Sequence, residues 1–260
     1  MRIILLSILA GVIGMGLGAF ITALYGARSE RMTSIFLSFA GGVMVSIVFL
    51  ELLPEAVELA GIAVMITGLV LGALLVLALN YLIDKISSST RHSELHDTFA
   101  EFFHSGDIIT KNPKMLRSGM IMLVAIALHN VPEGLAMGAA GNYDASLGLT
   151  LAILIGLHNI PEGMAVSAPL IAGGMTKIKA VVITLIAGAT TVAGTVIGVL
   201  MGSISDTAVS FSFAIAGGAM LYVVLGEIIP QSIVTGKDRI PTIFTLAGII
   251  IGVLFIELVH

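Results

Sequence analysis

Cysteine is absent from this chain of 260 residues. That absence excludes disulfides and thiolate metal sites, and it leaves the redox compartment undefined. Charge is scarce as well: Asp, Glu, Lys and Arg supply 11% of residues, against about 25% in soluble domains. The net charge of −4 comes with no basic patch, which excludes nucleic acid as a partner. Apolar residues fill the chain instead. They reach 57%, mean hydropathy is +1.10, and long apolar runs predict an all-α integral membrane protein whose partner is the lipid bilayer.

A helix needs roughly 20 apolar residues to cross the hydrocarbon core. Eight runs of that kind stand between polar breaks, at about 3–25, 34–58, 62–84, 117–140, 147–171, 179–202, 208–234 and 241–259. They predict a single transmembrane domain over 1–260, an eight-helix bundle. The breaks are short, except for a polar segment at 85–116. The first run is longer than a signal-peptide core, and its basic residues, Arg28 and Arg31, follow it. It therefore reads as a retained helix.

Basic residues set the orientation. Arg28 and Arg31 follow span 1; Lys85, Arg91, Lys111, Lys114 and Arg117 follow span 3; Lys177 and Lys179 follow span 5; Lys237 and Arg239 follow span 7. Eight alternating spans place all of these on one face and leave Arg2 opposite. The expected topology has both termini outside and the 85–116 loop in the cytoplasm, in the inner or plasma membrane.

The chain repeats itself. "LHNVPEG" at 128–134 recurs as "LHNIPEG" at 157–163, an offset of 29. "AGGVMVSIVFLELLPEA" at 40–56 matches "AGGAMLYVVLGEIIPQS" at 216–232 without a gap, an offset of 176. Each pair joins spans that enter the membrane in opposite directions. Inverted repeats of this kind (spans 1–3 against 6–8, with 4 and 5 central) belong to transporters, whose binding site lies at the repeat interface.

The doubled motif carries the chemistry. His129 and Glu133 are neighbours on one helix face, as are His158 and Glu162, with Asn130 and Asn159 about 100° around. Pro132 and Pro161 delete backbone hydrogen bonds to Leu128 and Leu157, which should kink both helices. Freed carbonyls at membrane depth belong in protein or beside a cavity. Imidazole nitrogen with carboxylate oxygen suits Zn²⁺, Fe²⁺ and Mn²⁺. A single buried Asn or His often only joins helices, but ionisable groups at depth cost about 2.5–3.5 kcal/mol each and mark function.

Other groups extend the pattern. Glu51 and Glu55 lie in the outer half of span 2, and Glu227 holds the matching place in the inner half of span 7. They are candidate pathway or gate carboxylates, one set per repeat. Met44 and Met220 are repeat equivalents, thioethers able to assist a soft cation or simply to fill space. His92, His96 and His104 stand in the polar loop, where a metal sensor and a solvated segment are both open readings. Glu257 and His260 read as solvated.

At "HNVPEG" and "HNIPEG" the sequence resembles the ZIP (Zrt/Irt-like) family of divalent-metal transporters, closest to its bacterial ZupT/GufA-like branch. The eight spans, the long loop after span 3 and "AGG…ELLPEA" in span 2 agree with it over the whole chain. The resemblance implies uptake of Zn²⁺, with Fe²⁺, Mn²⁺ and Cd²⁺ as further cargo, by an alternating-access or elevator-like cycle. It implies a primary site of His129, Glu133, His158 and Glu162, with Met44 contributing from span 2. Asn130 and Asn159, sharing both glutamates, would belong to a second metal position. The sequence departs from the family in two places: Thr191 in "GATTVAG" stands where a glutamate is expected, and Gly226 precedes Glu227 where some members have His. A full two-metal centre is therefore not expected. No cofactor is implied, and a homodimer is compatible with the pattern.

A metal-selective channel and an exporter share these features. An intramembrane metalloenzyme is the alternative from another class. A metalloprotease would carry HExxH and a di-iron oxidase Glu-x-x-His; Asn follows His in both copies here, so no enzyme is expected.

Overall fold

The computed structural model describes residues 2–26, 30–89, 113–200, 205–236 and 238–259. Among them all regular structure is helical. We number eight helices: α1 over 2–26, α2 Glu30–Ala60, α3 Ile62–Ser89, α4 Pro113–Tyr143, α5 Ala145–Ala172, α6 Lys177–Leu200, α7 Asp206–Gly236 and α8 Ile240–Val259. Seven of them are long and apolar enough to cross a membrane. α3 is the eighth, with an apolar stretch at Ile62–Ala78 of 17 residues, about 26 Å at the helical rise.

The segment expected to be a loop, 85–116, is described only at its two ends. α3 continues through Ser89 and α4 begins at Pro113, so 85–89 and 113–116 are helical. A helix that leaves the hydrocarbon core loses no backbone hydrogen bonds by continuing, and proline suits a first helical position. His92, His96 and His104 lie outside the described residues, as does His260. Glu257 is exposed at the end of α8.

Each connection is built from local chemistry. Gly61 takes a positive φ of 81° between α2 and α3, a conformation that suits glycine. Asp144 caps α5, accepting from the Ser146 hydroxyl and from the backbone amides of Ser146 and Leu147. Those bonds hold its carboxyl below the usual carboxylate range.

Packing follows the internal repeat. α1 lies on α5 as α6 lies on α4, α2 on α8 as α7 on α3, and α2 on α5 as α7 on α4. Exchanging α1 with α6, α2 with α7, α3 with α8 and α4 with α5 leaves this set unchanged. Single contacts obey the same exchange. The Ser34 hydroxyl donates to the Ser232 carbonyl at 2.7 Å, and the Ser210 hydroxyl to the Ala56 carbonyl at 2.6 Å.

Two π-helical turns, Val48–Leu52 in α2 and Val224–Ile228 in α7, also stand at equivalent places in the repeat. Such turns concentrate at functional sites, and nothing in the apolar pattern announces them. α1 holds two more, Ile8–Ile13 and Thr22–Gly26. Burial places α2 and α5 innermost, with 67% of each apolar window covered, while α8 has 22% and turns Leu246, Ile250 and Leu254 outward.

Candidate metal centre

The two copies of the motif meet across the seam between α4 and α5. Both helices run on through their prolines, Pro132 in α4 and Pro161 in α5. The motif glycines let neighbouring backbones close in. A Cβ on Gly134 would strike the carbonyl of Thr191 on α6, and one on Gly163 the carbonyl of Met15 on α1. Residues 15 and 191 are themselves related by the offset of 176.

The four ionisable side chains are all buried, none more than 2% exposed. His129 Nε2 lies 3.1 Å from Glu162 Oε1, and His158 Nε2 lies 3.2 Å from Glu133 Oε1. Within each helix the corresponding separations are 3.7 and 3.8 Å. The Nε2 of each imidazole thus sits between two carboxylates, and the Oε1 of each carboxylate between two imidazoles. An ionised carboxylate only accepts, so each Nε2 is the donor when both glutamates are charged.

These separations have a chemical meaning. Zinc–nitrogen and zinc–oxygen bonds of about 2.0–2.2 Å in a tetrahedron put neighbouring ligand atoms about 3.3–3.6 Å apart. The four imidazole–carboxylate edges bracket that value. Ligand atoms of His129, Glu133 and Glu162 all lie within 4.8 Å of one another, while His158 falls outside that group. Two carboxylates with neutral imidazoles would balance a divalent ion's charge, which matters where dielectric screening is weak.

Both asparagines reach the same level from their own helices. Asn130 Nδ2 donates to Met15 Sδ at 3.3 Å, and Asn159 Nδ2 donates to the Ala10 carbonyl at 3.0 Å. Their amide nitrogens are engaged with α1, and their carbonyl oxygens have no partner. The other buried atoms without one are Nδ1 of both histidines, Oε2 of both glutamates and Thr191 Oγ1. Native interiors satisfy nearly all buried polar groups; here the exceptions among the described residues belong to the motif and to Thr191.

The remaining candidates lie elsewhere. Met44 and Met220 are fully buried in one apolar cluster with Met15 and Met122. Glu51 is buried within the π-turn of α2, while Glu55 and Glu227 are half-buried. Glu227, in the π-turn of α7, accepts from Asn80 Nδ2 at 3.3 Å. None of these three glutamates joins the ion pairs of the quartet. Asn80, Met15 and the Ala10 carbonyl were not found from sequence. Asn80 carried a usable signal, a lone amide in the apolar run "VLALNYL", whereas a backbone carbonyl carries none.

A helical membrane protein with an inverted repeat and a buried His₂Glu₂ cluster at its centre is built as a transporter. The family model described as ZIP Zinc transporter matches residues 87–260. The chain is 33% identical over 249 residues to "Zinc transporter ZupT" of Corynebacterium efficiens, covering 94% of this chain and 91% of that one. It is 31% identical over 256 residues to "Zinc transporter ZupT" of Streptococcus mutans, covering 95% and 93%. The protein of the same name from Akkermansia muciniphila is 32% identical over 267 residues, covering 99% and 96%. This chain belongs to the ZIP zinc transporter family, and it is a transporter rather than an enzyme.

Proposed function

We propose that this protein carries Zn²⁺ into the cytoplasm, with the ion held midway by His129, Glu133, His158 and Glu162. The observation that carries the reading is the set of four edges between imidazole nitrogens and carboxylate oxygens, 3.1 to 3.8 Å, which spans the separation of neighbouring ligand atoms on a zinc ion. The relatives named for zinc transport support the cargo. The donor set admits Fe²⁺, Mn²⁺ and Cd²⁺ on the same chemistry.

The chain crosses the membrane eight times, α3 included, with 1–260 as one domain, both termini outside and the polar loop inside; the one-sided distribution of Lys and Arg supports this sense. Glu51 and Glu55 meet the ion on the outer side and Glu227 on the inner. The asparagine carbonyl oxygens, which have no partner, offer further donors, and Met44 of α2 offers a thioether from its apolar cluster. Packing that is unchanged by exchanging the repeats supports alternating access, each repeat taking in turn the arrangement of the other.

Uptake of Zn²⁺, Mn²⁺, Fe²⁺, Cd²⁺ and Mg²⁺ into liposomes holding the purified protein tests it. Saturable transition-metal uptake, lost in His129→Ala and absent for Mg²⁺, is the expected result. Uptake indifferent to His129 would remove the quartet from the route, and flux linear in metal would make the protein a pore.

A further inference from the structure

The repeat symmetry fails at one place close to the quartet. The mate of α1 is α6, and the mate of Met15 is Thr191. Both motif asparagines nevertheless donate to α1, one to the Met15 sulfur and the other to the Ala10 carbonyl. The carbonyl is available because α1 is π-helical there: the Gly14 amide bonds to Leu9 and Gly11 and passes over Ala10. α6 is regular α-helix throughout Lys177–Leu200, and the hydroxyl of Thr191 is left with no partner although fully buried.

That hydroxyl is unusual for its surroundings. Thr22, Thr184 and Thr195 are buried helical threonines whose hydroxyls all return to the carbonyl four residues back. Thr191 instead faces α1, where a Cβ on Gly11 would come 2.9 Å from its Oγ1. Asn159 borders the same stretch of α1, where a Cβ on Gly14 would come 3.0 Å from its Cβ. Applying the repeat to the observed Asn130–Met15 bond gives a bond from Asn159 to Thr191. This structure lacks that bond, yet it holds both of its partners beside one helix.

We propose that Thr191 is a positioning residue, the acceptor that takes over the Asn159 amide from Ala10 when the bundle turns to its other face. In that exchange the Asn159 Nδ2–H leaves the Ala10 carbonyl for Thr191 Oγ1, and Asn130 leaves Met15 for a backbone carbonyl of α6. The asparagines of the motif then report which of α1 and α6 holds the centre, and the threonine where a glutamate was expected serves the conformational cycle. The inference rests on the alternating-access reading above.

The chain contains no cysteine, so single cysteines report cleanly. Glu55→Cys and Gln231→Cys occupy repeat-related, half-buried positions at opposite ends of the bundle. Their alkylation rates by a maleimide, measured without metal, give the balance between the two faces. Met15→Leu deletes an acceptor on α1 at nearly constant volume, and Thr191→Val deletes the acceptor on α6. A hydrogen bond nets about 0.5–1.5 kcal/mol, so the two variants should shift the Glu55→Cys to Gln231→Cys labelling ratio in opposite directions, each by roughly two- to tenfold. Thr191→Ser should restore the wild-type ratio, and Thr191→Val should lower kcat for zinc while leaving KM unchanged. Shifts in the same direction, or a Thr191→Val ratio and kcat like wild type, would overturn the exchange. Because labelling is read without metal, such a failure leaves zinc uptake and its loss in His129→Ala standing. A failure of uptake itself would show in wild type first.

Discussion

In the seam between α4 and α5 the cross-helix contacts measure 3.1 and 3.2 Å and the same-helix contacts 3.7 and 3.8 Å. The carboxylate turns of α2 and α7 are also related by the repeat, but their surroundings differ. Glu51 is buried and has Glu55 one turn on; Glu227 is half-buried, takes a hydrogen bond from Asn80, and has Gln231 in place of a second carboxylate. A centre that accepts an ion from one side and releases it to the other gains from looking alike in both directions. A second negative charge at one end draws cations to it more strongly than the single charge at the other. The repeat's symmetry is kept at the quartet and given up at the carboxylate turns of α2 and α7.

Breaking the centre gives the largest effect. Glu133→Ala and Glu162→Ala should each lower kcat/KM for zinc uptake by more than about 100-fold, beyond what loss of an outer-shell partner costs a metal site. The seam's symmetry adds a sharper expectation, that the two losses agree within about threefold, since the variants remove mirrored contacts. Uptake assays in liposomes check both. If one glutamate proves dispensable, the centre is not the symmetric unit its distances describe.

The ends should respond unequally and less. Glu51→Gln is expected to raise KM by about tenfold with kcat unchanged, the sign of lost capture, whereas Glu227→Gln is expected to lower kcat with KM unchanged. Initial-rate kinetics on oriented vesicles separate the two. Equal effects on one parameter would erase the distinction between an entry and an exit.

How far the sequence carried this comparison depends on the kind of feature. The quartet was legible because His and Glu at a spacing of four, in apolar surroundings and in two copies, admit few other uses. The repeat was legible because its matches keep one offset without gaps. The span limits came within a few residues, as with 241–259 against Ile240–Val259. The π-turns were not legible, since one extra residue in a helical turn leaves the apolar pattern intact. The bonds from Asn130 and Asn159 to α1 escaped for another reason: they join residues 115 and 149 positions apart, and one of them ends on a backbone carbonyl that no residue type announces.

Packing supplies a smaller test of the same symmetry. Gly134→Ala and Gly163→Ala each push a methyl group into a neighbouring backbone carbonyl, of Thr191 and Met15 respectively. Overpacking of that kind costs about 1–3 kcal/mol, and thermal unfolding in detergent should show two similar losses. A loss confined to Gly163 would mean that α1 and α6 are not equally fixed against the seam.

The smallest effect belongs to the turn that joins the two halves of the centre. Asp144 accepts three hydrogen bonds at the start of α5, and they lower its carboxyl from the ordinary value. A folded-state value depressed in this way adds stability that is fully present above the unfolded carboxyl's titration. It is lost as pH falls through the folded one. Asp144→Asn keeps a good helix cap without the charge, so it should be slightly less stable than wild type at neutral pH. The two should converge in acid, because protonation removes from Asp144 what the substitution has already removed. Unfolding curves across that range would show the gap closing from the neutral side. A gap that persists in acid would assign the cap's contribution to shape alone, and leave the α4–α5 junction insensitive to protons.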